Sequence, residues 1–443
     1  MNKVYIETLG CKVNQYESAA IMDTLVNMGF EIAEKDINAD ILILNSCTVT
    51  NRTDFKSRNI IRRFLKLKSE SPEKIIIVSG CYLQREKEQA IALGDIDALV
   101  DNNSKSTIPS IVEQIISSKN TFNNKYQQAH DFVCFDELPS SSMGEKSRAF
   151  IKIQDGCNFY CSYCAIPYAR GNPRSRDPES ILQQVKEMMD NGYHEFVLAG
   201  INQGLYGMDF KVKHQYINSL ADLIQAICDI PNNKKIRLSS VEPQLFTNEL
   251  LRVLYNNDQV CPHFHIPLQS GSDNILKAMK RKYDTHLFQN LVNNLVQNKA
   301  NTALGIDVIV GFPGETDELF EQTYQFLKAL PITYLHVFIY SKRRNTVAAN
   351  MPHQINGKIA KERSQKLIEL SQKKLHEYIN NLLNKKVELT CIVETCEDGY
   401  CYGMTDHFVR TKFFCKDQSI EKGSLISLNP IKAESDYILA EMK

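Results

Sequence analysis

The chain repeats one unit along most of its length: a short apolar run, a residue capable of chemistry, then a helical pattern. The runs Val4-Tyr-Ile-Glu-Thr-Leu9, Ile41-Leu-Ile-Leu44 and Ile75-Ile-Ile-Val78 are followed by Cys11, Cys47 and Cys81. Buried parallel strands read as near-continuous β-branched runs, and helical patterns from Glu17 to Met28 and from Asp54 to Leu67 separate these three. That alternation implies a doubly wound parallel sheet, in which ligands bind beyond the carboxyl ends of the strands. All three cysteines fall at that edge. Convergence on one ligand explains this better than three unrelated buried thiols.

From Phe150 the alternation resumes, with predicted strands at Phe150–Gln154, Glu195–Gly200, Lys235–Ser240, His263–Leu268, Ile306–Gly311 and Tyr334–Tyr340. Six such units suggest an open (β/α)6 barrel, whose chemistry sits in the loops after the strands. The first of these loops reads Asp155-Gly-Cys-Asn-Phe-Tyr-Cys-Ser-Tyr-Cys-Ala165, a C-x3-C-x2-C spacing of Cys157, Cys161 and Cys164. Thiolates are the protein ligands of iron–sulfur clusters. Three ligands on a four-iron cube leave one iron open, able to chelate S-adenosylmethionine and reduce its sulfonium to release a carbon radical. A zinc knuckle would want four ligands at paired spacings, and no fourth Cys or His follows closely.

The later loops supply candidates for holding S-adenosylmethionine: Gly200 and Asn202, Ser240 and Glu242, Gln269, and Gly311. Glycines let backbone approach a ligand, and carboxylates accept charge-assisted bonds from ammonium or ribose groups.

Charge is balanced at 52 basic against 52 acidic residues, so nucleic acid can be drawn only to a local patch. Two candidate patches exist. Arg58, Arg62 and Lys66 repeat at i, i+4 spacing on one helix face after Cys47. Arg170, Arg174 and Arg176 follow the second cysteine triad in a Pro- and Gly-broken loop. Both patches suit phosphate contacts. The N-terminus has no apolar h-region and no stretch approaches a membrane span, so a cytoplasmic protein without membrane contact is expected. Thirteen cysteines in such a chain read as reduced, metal-binding or buried thiols.

The last sixty residues change character. Alternation from Val387 to Val393, the runs Phe408–Phe414 and Ser424–Leu428, and turns at Asp398-Gly399 and Lys422-Gly423 predict a small all-β barrel. It carries 8 basic and 10 acidic residues, which argues little for RNA. Cys391, Cys396 and Cys401 read as buried thiols there.

The motifs Thr8-Leu-Gly-Cys-Lys-Val-Asn-Gln-Tyr-Glu-Ser18, Asn45-Ser-Cys-Thr-Val-Thr50, Gly80-Cys81, Phe150-Ile-Lys-Ile-Gln-Asp-Gly-Cys157 and Ile166-Pro-Tyr-Ala-Arg-Gly171 resemble the radical S-adenosylmethionine methylthiotransferases. The resemblance covers nearly the whole chain. Gly10-Cys-Lys-Val-Asn-Gln-Tyr-Glu17 and Gly200-Ile-Asn-Gln-Gly-Leu-Tyr-Gly207 look most like the subgroup that modifies N6-threonylcarbamoyladenosine, 3′ of the tRNA anticodon.

The resemblance implies a methylthiotransferase domain at 1–118, a linker at 119–146, a radical barrel at 147–376 and a TRAM-like β-barrel at 377–443. It also implies two [4Fe-4S] clusters. Cys157, Cys161 and Cys164 would hold the radical-generating one; Cys11, Cys47 and Cys81 would hold an auxiliary one that carries the transferred sulfur. S-adenosylmethionine would serve as both methyl donor and radical source. The implied partners are a tRNA anticodon arm and a flavodoxin- or ferredoxin-like electron donor, with the enzyme acting as a monomer. Methylthiolation of isopentenyladenosine or of a ribosomal-protein aspartate, and a non-catalytic RNA-binding iron–sulfur sensor, are the competing expectations. One departure stands out: Tyr340-Ser-Lys-Arg-Arg-Asn-Thr346 has Asn345 where that family tends to have Gly.

Overall fold

The computed structural model describes residues 2–118, 126–144, 146–415 and 420–443. Residues 119–125 and 145 of the expected linker lie outside the described residues.

Strands β1 (Lys3–Thr8), β2 (Glu31–Ile32), β3 (Ile41–Ser46), β4 (Ile75–Gly80) and β5 (Ala98–Val100) form one parallel sheet in the order β2-β1-β3-β4-β5. Every residue of β3 is buried, as expected of a central strand covered on both faces. Helix α1 (Lys12–Asn27) follows β1, α2 (Asn51–Glu70) follows β3, and α3 (Cys81–Arg85) follows β4. The Thr50 hydroxyl caps α2 by accepting from the Thr53 N–H. Gly80 turns into α3 at φ +98°, and a Cβ there would meet the Ser46 backbone at 2.3 Å. Only glycine fits that turn.

Six parallel strands build the central barrel: β6 (Ala149–Asp155), β8 (Glu195–Gly200), β9 (Lys235–Leu238), β10 (His263–Gln269), β11 (Ala303–Val310) and β12 (Tyr334–Ile339). A short β7 (Arg174–Ser175) adds antiparallel to the free edge of β6. The hydrogen-bonded ladder is interrupted between β9 and β10, where the Val241 N–H to His265 carbonyl bond spans the gap. Outward residues Phe264, Ile266, Leu268, Ile306, Val308 and Leu335 are buried. Of the alternate positions, His265, Asp307 and His336 are polar and at least partly exposed, whereas Lys152, Glu195, Arg237 and His263 are polar and buried.

The N-terminal sheet and this barrel share one core. Val4, Tyr16 and Ile21 belong to the same apolar cluster as Ile151, Phe196 and Leu198. The described part of the expected linker seals the seam: Phe132, Leu138 and Met143 are buried, and the Tyr16 hydroxyl donates to the Leu138 carbonyl at 2.6 Å.

Five strands, β13 (Leu389–Glu397), β14 (Tyr400–Thr405), β15 (Arg410–Phe414), β16 (Leu425–Ala433) and β17 (Tyr437–Met442), close a C-terminal barrel in the order β13-β14-β15-β17-β16. Helix Gly357–Asn384 runs unbroken into it, so the expected boundary at 376/377 falls inside a helix. One cysteine expectation is corrected here. Cys391 is a buried free thiol, but Cys396 and Cys401 are joined in a disulfide. They face each other as a cross-strand pair of β13 and β14, separated by a tight turn, which brings the sulfurs together.

Candidate functional site

Cys11, Cys47 and Cys81 stand at the carboxyl ends of β1, β3 and β4, as the strand pattern requires. Cys47 and Cys81 are only 3% and 4% exposed, while Cys11 is the accessible member. Gly10 has φ +97°, and a Cβ there would sit 2.6 Å from Cys47 Sγ, so the glycine makes room for that thiol. Cys81 Sγ accepts from Arg170 Nε at 3.3 Å and from Asn102 Nδ2 at 3.6 Å. Burial first, then the neighbouring Cys81, pushes the Cys47 thiol up to about 12. Such a thiol keeps its proton until a metal displaces it.

The bed beneath this site is ionic and fully buried. Arg170 grips Glu17 and Asp155; Lys105 and Lys152 also reach Glu17, and Arg174 and Lys152 reach Asp155. Burial alone would raise both carboxyls, yet the cations hold them well below the usual range. Four cations thus face the two carboxylates they grip, directly beside the thiols. A positive surplus in a low-dielectric site suits an anionic thiolate cluster.

This geometry corrects the reading of Arg170, Arg174 and Arg176 as phosphate ligands. All three are buried. Arg176 is paired with Glu137 and bonded to Gln184 and Ser180. Their partners, Glu17, Glu137 and Asp155, lie far away in the chain or on another element. Arg58, Arg62 and Lys66 do lie along α2: Arg62 and Lys66 are exposed, and Arg58 rests 5.9 Å over the Tyr82 ring.

Cys157, Cys161 and Cys164 occupy the loop after β6. Gly156, at φ +74°, and the Cys157 N–H to Gly171 carbonyl bond turn the loop; the Ser162 N–H to Met279 carbonyl bond pins its far side. Cys157 Sγ accepts from Asn202 Nδ2 at 3.7 Å, and Cys161 Sγ accepts from Arg281 Nη1 at 3.2 Å. Arg281 also forms an ion pair with Glu242, whose carboxyl is nonetheless raised by burial. Burial, then Cys161, pushes Cys164 up to about 12.

The other expected loop residues divide. Asn202, Ser240, Glu242 and Gln269 gather at the carboxyl end of the barrel. The Asn202 N–H donates to Gln154 Oε1, and Gln269 stands at φ +71°. Gly200 lies where a Cβ would crowd Gln154 and Gln203 at 3.1 Å. Gly311, in contrast, packs against Ala360, where a Cβ would approach that methyl to 2.6 Å; its N–H donates to Glu315. A helix contact explains that glycine. Several buried polar atoms here have no partner: Asn202 Oδ1, Gln203 Oε1, Ser239 Oγ and both amide atoms of Gln244. Buried polar groups are ordinarily satisfied, so this unfilled hydrogen-bonding capacity fits a polar ligand such as S-adenosylmethionine.

A cavity of about 240 Å³ lies beside the second triad. Val49 and Thr50, just after Cys47, form part of its wall; Tyr163, Cys164, Gln269, Asp307 and Phe338 form more of it. Arg343 closes one side, bonded to Thr48, Asn51 and Asp54 at 2.6 Å each. The loop carrying it keeps its turn because Asn345 adopts φ +62°. Arg281 and Asn102 had no local sequence signal, while Glu17 and Arg343 lie within family motifs whose pattern alone gives them no partner. Each matters through a partner more than thirty residues away; Asn102, which donates to the Ala169 carbonyl, also reaches the nearer Cys81.

Fold and site define a class: an open radical-type barrel fused to a doubly wound domain, with three thiols at the mouth of each. Residues 151–327 match the Radical SAM superfamily and residues 3–101 match the Uncharacterized protein family UPF0004. The chain is 37% identical, over 99% of its length and 95% of the relative's, to the Threonylcarbamoyladenosine tRNA methylthiotransferase MtaB of Bacillus subtilis (strain 168). It is 36% identical, over 88% of its length and 92% of the relative's, to the protein of that name from Aquifex aeolicus (strain VF5). A tRNA-2-methylthio-N(6)-dimethylallyladenosine synthase of Thermoanaerobacter sp. (strain X514) is 34% identical over 87% of this chain and 81% of that one. Among solved structures, the radical S-adenosylmethionine methyltransferase TsrM from Kitasatospora setae shares the fold at TM-score 0.55 and 14% identity, over 76% of this chain and 75% of that one. The chain belongs to the radical S-adenosylmethionine methylthiotransferase family. No helix among the described residues is long and apolar enough to cross a membrane.

Proposed function

We propose that this enzyme methylthiolates C2 of N6-threonylcarbamoyladenosine, 3′ of the tRNA anticodon, with a [4Fe-4S] cluster in each three-thiol site. One observation carries the reading: residues following Cys47 and residues around Cys164 wall the same cavity, so a base there lies between both sites. Cys157, Cys161 and Cys164 would hold the cluster that reductively cleaves S-adenosylmethionine. Cys11, Cys47 and Cys81 would hold the cluster that supplies the sulfur.

The chain's own groups orient and shield this chemistry. Arg281 holds Glu242 and the Cys161 sulfur in one arrangement. Asn202, Gln203, Ser239 and Gln244 offer unfilled hydrogen bonds to a polar cosubstrate. Arg343 ties the N-terminal end of α2 to the loop after β12. The working context is a cytoplasmic monomer served by a flavodoxin- or ferredoxin-like donor, with the anticodon arm as partner. The test is mass spectrometry of nucleosides after incubation with tRNA carrying either threonylcarbamoyladenosine or isopentenyladenosine, and with ribosomal protein. Product on the threonylcarbamoylated tRNA alone is expected; equal turnover on either alternative overturns the substrate assignment.

A further inference from the structure

The segment after helix Asp273–Ala278 is fastened to the loop that carries the second triad. The Ser162 N–H donates to the Met279 carbonyl at 3.0 Å, and the Ser162 hydroxyl donates to the Ala278 carbonyl at 2.8 Å. Arg281 reaches Cys161 Sγ at 3.2 Å, and Lys282 Nζ sits over the Phe159 ring, 4.5 Å from its centroid. Phe159 lies between Cys157 and Cys161. The outer surface of this seam is cationic and aromatic. Lys277, Lys280 and Lys282 are exposed. On the triad loop and just after it, Tyr160 and Tyr168 are 45% and 42% exposed, packed edge to face with ring centroids 5.7 Å apart.

Nothing in the fold uses those three charges. Among the described residues, no carboxylate forms an ion pair with Lys277, Lys280 or Lys282. The flanking acids are engaged elsewhere: Asp273 accepts from Thr285, and Asp284 accepts from the Leu287 N–H. Lys280 also stands in an unfavourable conformation. The helix ends on two bonds, Lys280 N–H to the Lys277 carbonyl and Arg281 N–H to the Leu276 carbonyl, with Lys280 at φ +59°. Glycine is the usual residue at that position of a helix end, and a side chain there is strained. A lysine set against that preference, with no partner in the chain, points to a partner outside it.

We propose that this face docks the electron donor, a small acidic flavin-carrying protein, with Lys277, Lys280 and Lys282 meeting its carboxylates and the Tyr160–Tyr168 pair meeting the exposed edge of its flavin. The proposal rests on the reading of Cys157, Cys161 and Cys164 as the site that cleaves S-adenosylmethionine, and deepens it. Each cleavage needs one electron from outside. The carrier is oxidised by one electron; the sulfonium is reduced, and its S–C5′ bond breaks into methionine and a 5′-deoxyadenosyl radical, with no proton exchanged. Electron transfer slows steeply with distance, so the carrier must dock against the loop that holds the triad. Lys280 and Lys282 flank the arginine that touches Cys161, which favours a carrier over an RNA backbone at this face. Charge complementarity steers the encounter, and a small contact lets the carrier leave after each electron.

The test follows 5′-deoxyadenosine formation by full-length holoenzyme with three reductants. These are flavodoxin kept reduced by its NADPH-dependent reductase, a reduced ferredoxin, and dithionite, which needs no docking. Combined Lys277→Gln, Lys280→Gln and Lys282→Gln should raise the KM for flavodoxin about tenfold at low salt and flatten its salt dependence. The dithionite-driven rate, iron content and affinity for threonylcarbamoylated tRNA should stay unchanged. Arginine at all three positions should restore the KM. Lys280→Gly alone separates docking from folding: it relieves the strained turn, so the thermal midpoint should not fall while the KM for flavodoxin rises. An unaltered KM and salt slope for flavodoxin in the triple variant overturns the docking assignment. So does a loss of tRNA affinity with flavodoxin kinetics intact, which would make this an RNA surface. A KM that rises for ferredoxin but not for flavodoxin overturns the choice of carrier. If dithionite drives cleavage in the wild type while the lysines leave flavodoxin kinetics untouched, the docking proposal alone falls. If no reductant yields 5′-deoxyadenosine, the reading of the second triad falls with it.

Discussion

Arg170 Nε stands 3.3 Å from Cys81 Sγ while its two terminal nitrogens fork onto Glu17 at 2.6 and 3.1 Å. A single side chain therefore joins a thiol of the first site, the helix after Cys11, and the loop after the second triad. Arg170→Leu removes three charge-assisted hydrogen bonds from Glu17 and Asp155 while both carboxylates stay buried. It should cost about 3–5 kcal/mol, the range seen when one partner of a buried ion pair is removed. The check is the thermal midpoint together with iron content after reconstitution. Arg170→Lys, which keeps charge but not the fork, should fall between that variant and wild type. An unchanged midpoint for the leucine variant would show that the network is not stabilising.

The cysteine sets should separate by role. Anaerobically reconstituted enzyme is expected to bind about eight irons if both clusters are of the four-iron type. Triple Ala replacement of Cys157, Cys161 and Cys164 should halve the iron and abolish 5′-deoxyadenosine. The same change at Cys11, Cys47 and Cys81 should halve the iron, spare 5′-deoxyadenosine and abolish methylthiolated product. Wild-type product from the second variant would remove the first site from sulfur transfer.

The exposed face of α2 is the surviving basic patch. Arg58→Gln with Arg62→Gln should weaken tRNA binding and flatten its salt dependence, by a slope of about 0.7 to 0.9 for each phosphate that is no longer neutralised. Uncoupled cleavage of S-adenosylmethionine should be unaltered. Identical salt slopes for variant and wild type would leave α2 a solvated helix and nothing more.

His263 gives stability a pH dependence with a definite sign. Burial, then Arg237, holds its imidazole well below the usual value of 6.5, so the native state binds this proton less readily than the unfolded chain. Its contribution is therefore fully present above about pH 6.5 and is lost as pH falls from there toward the native value. His263→Phe, which keeps a ring between Tyr334 and Phe408, should shrink the drop in thermal midpoint between pH 7 and pH 5.5. A variant whose drop equals that of wild type would show that other groups govern this window.

Cys11, Cys47 and Cys81 were legible because strand ends mark themselves, and Cys157, Cys161 and Cys164 because of their C-x3-C-x2-C spacing. A β-branched run stops, and the next chemical residue must lie at the sheet edge. The six barrel strands were legible for the same reason, within a few residues of their observed bounds. The arginines after Cys164 were not. Their charge is visible in sequence, but their partners Glu17 and Glu137 belong to other segments, and only the folded seam shows them buried. Gly311 looked like a ligand glycine because a close approach was needed; the approaching group is the Ala360 methyl. The Cys396–Cys401 disulfide was missed because alternation on β13 identified Cys391 as buried and said nothing of its neighbours across the turn.

Phe408 belongs to the C-terminal barrel yet forms the bottom of the central one. The appended module is thus a stopper as much as an arm. Cutting the chain after helix Gly357–Asn384 would leave Arg237 and His263 facing water. Grafting a foreign module without an aromatic ring at this position would leave both side chains without the surface they stack on.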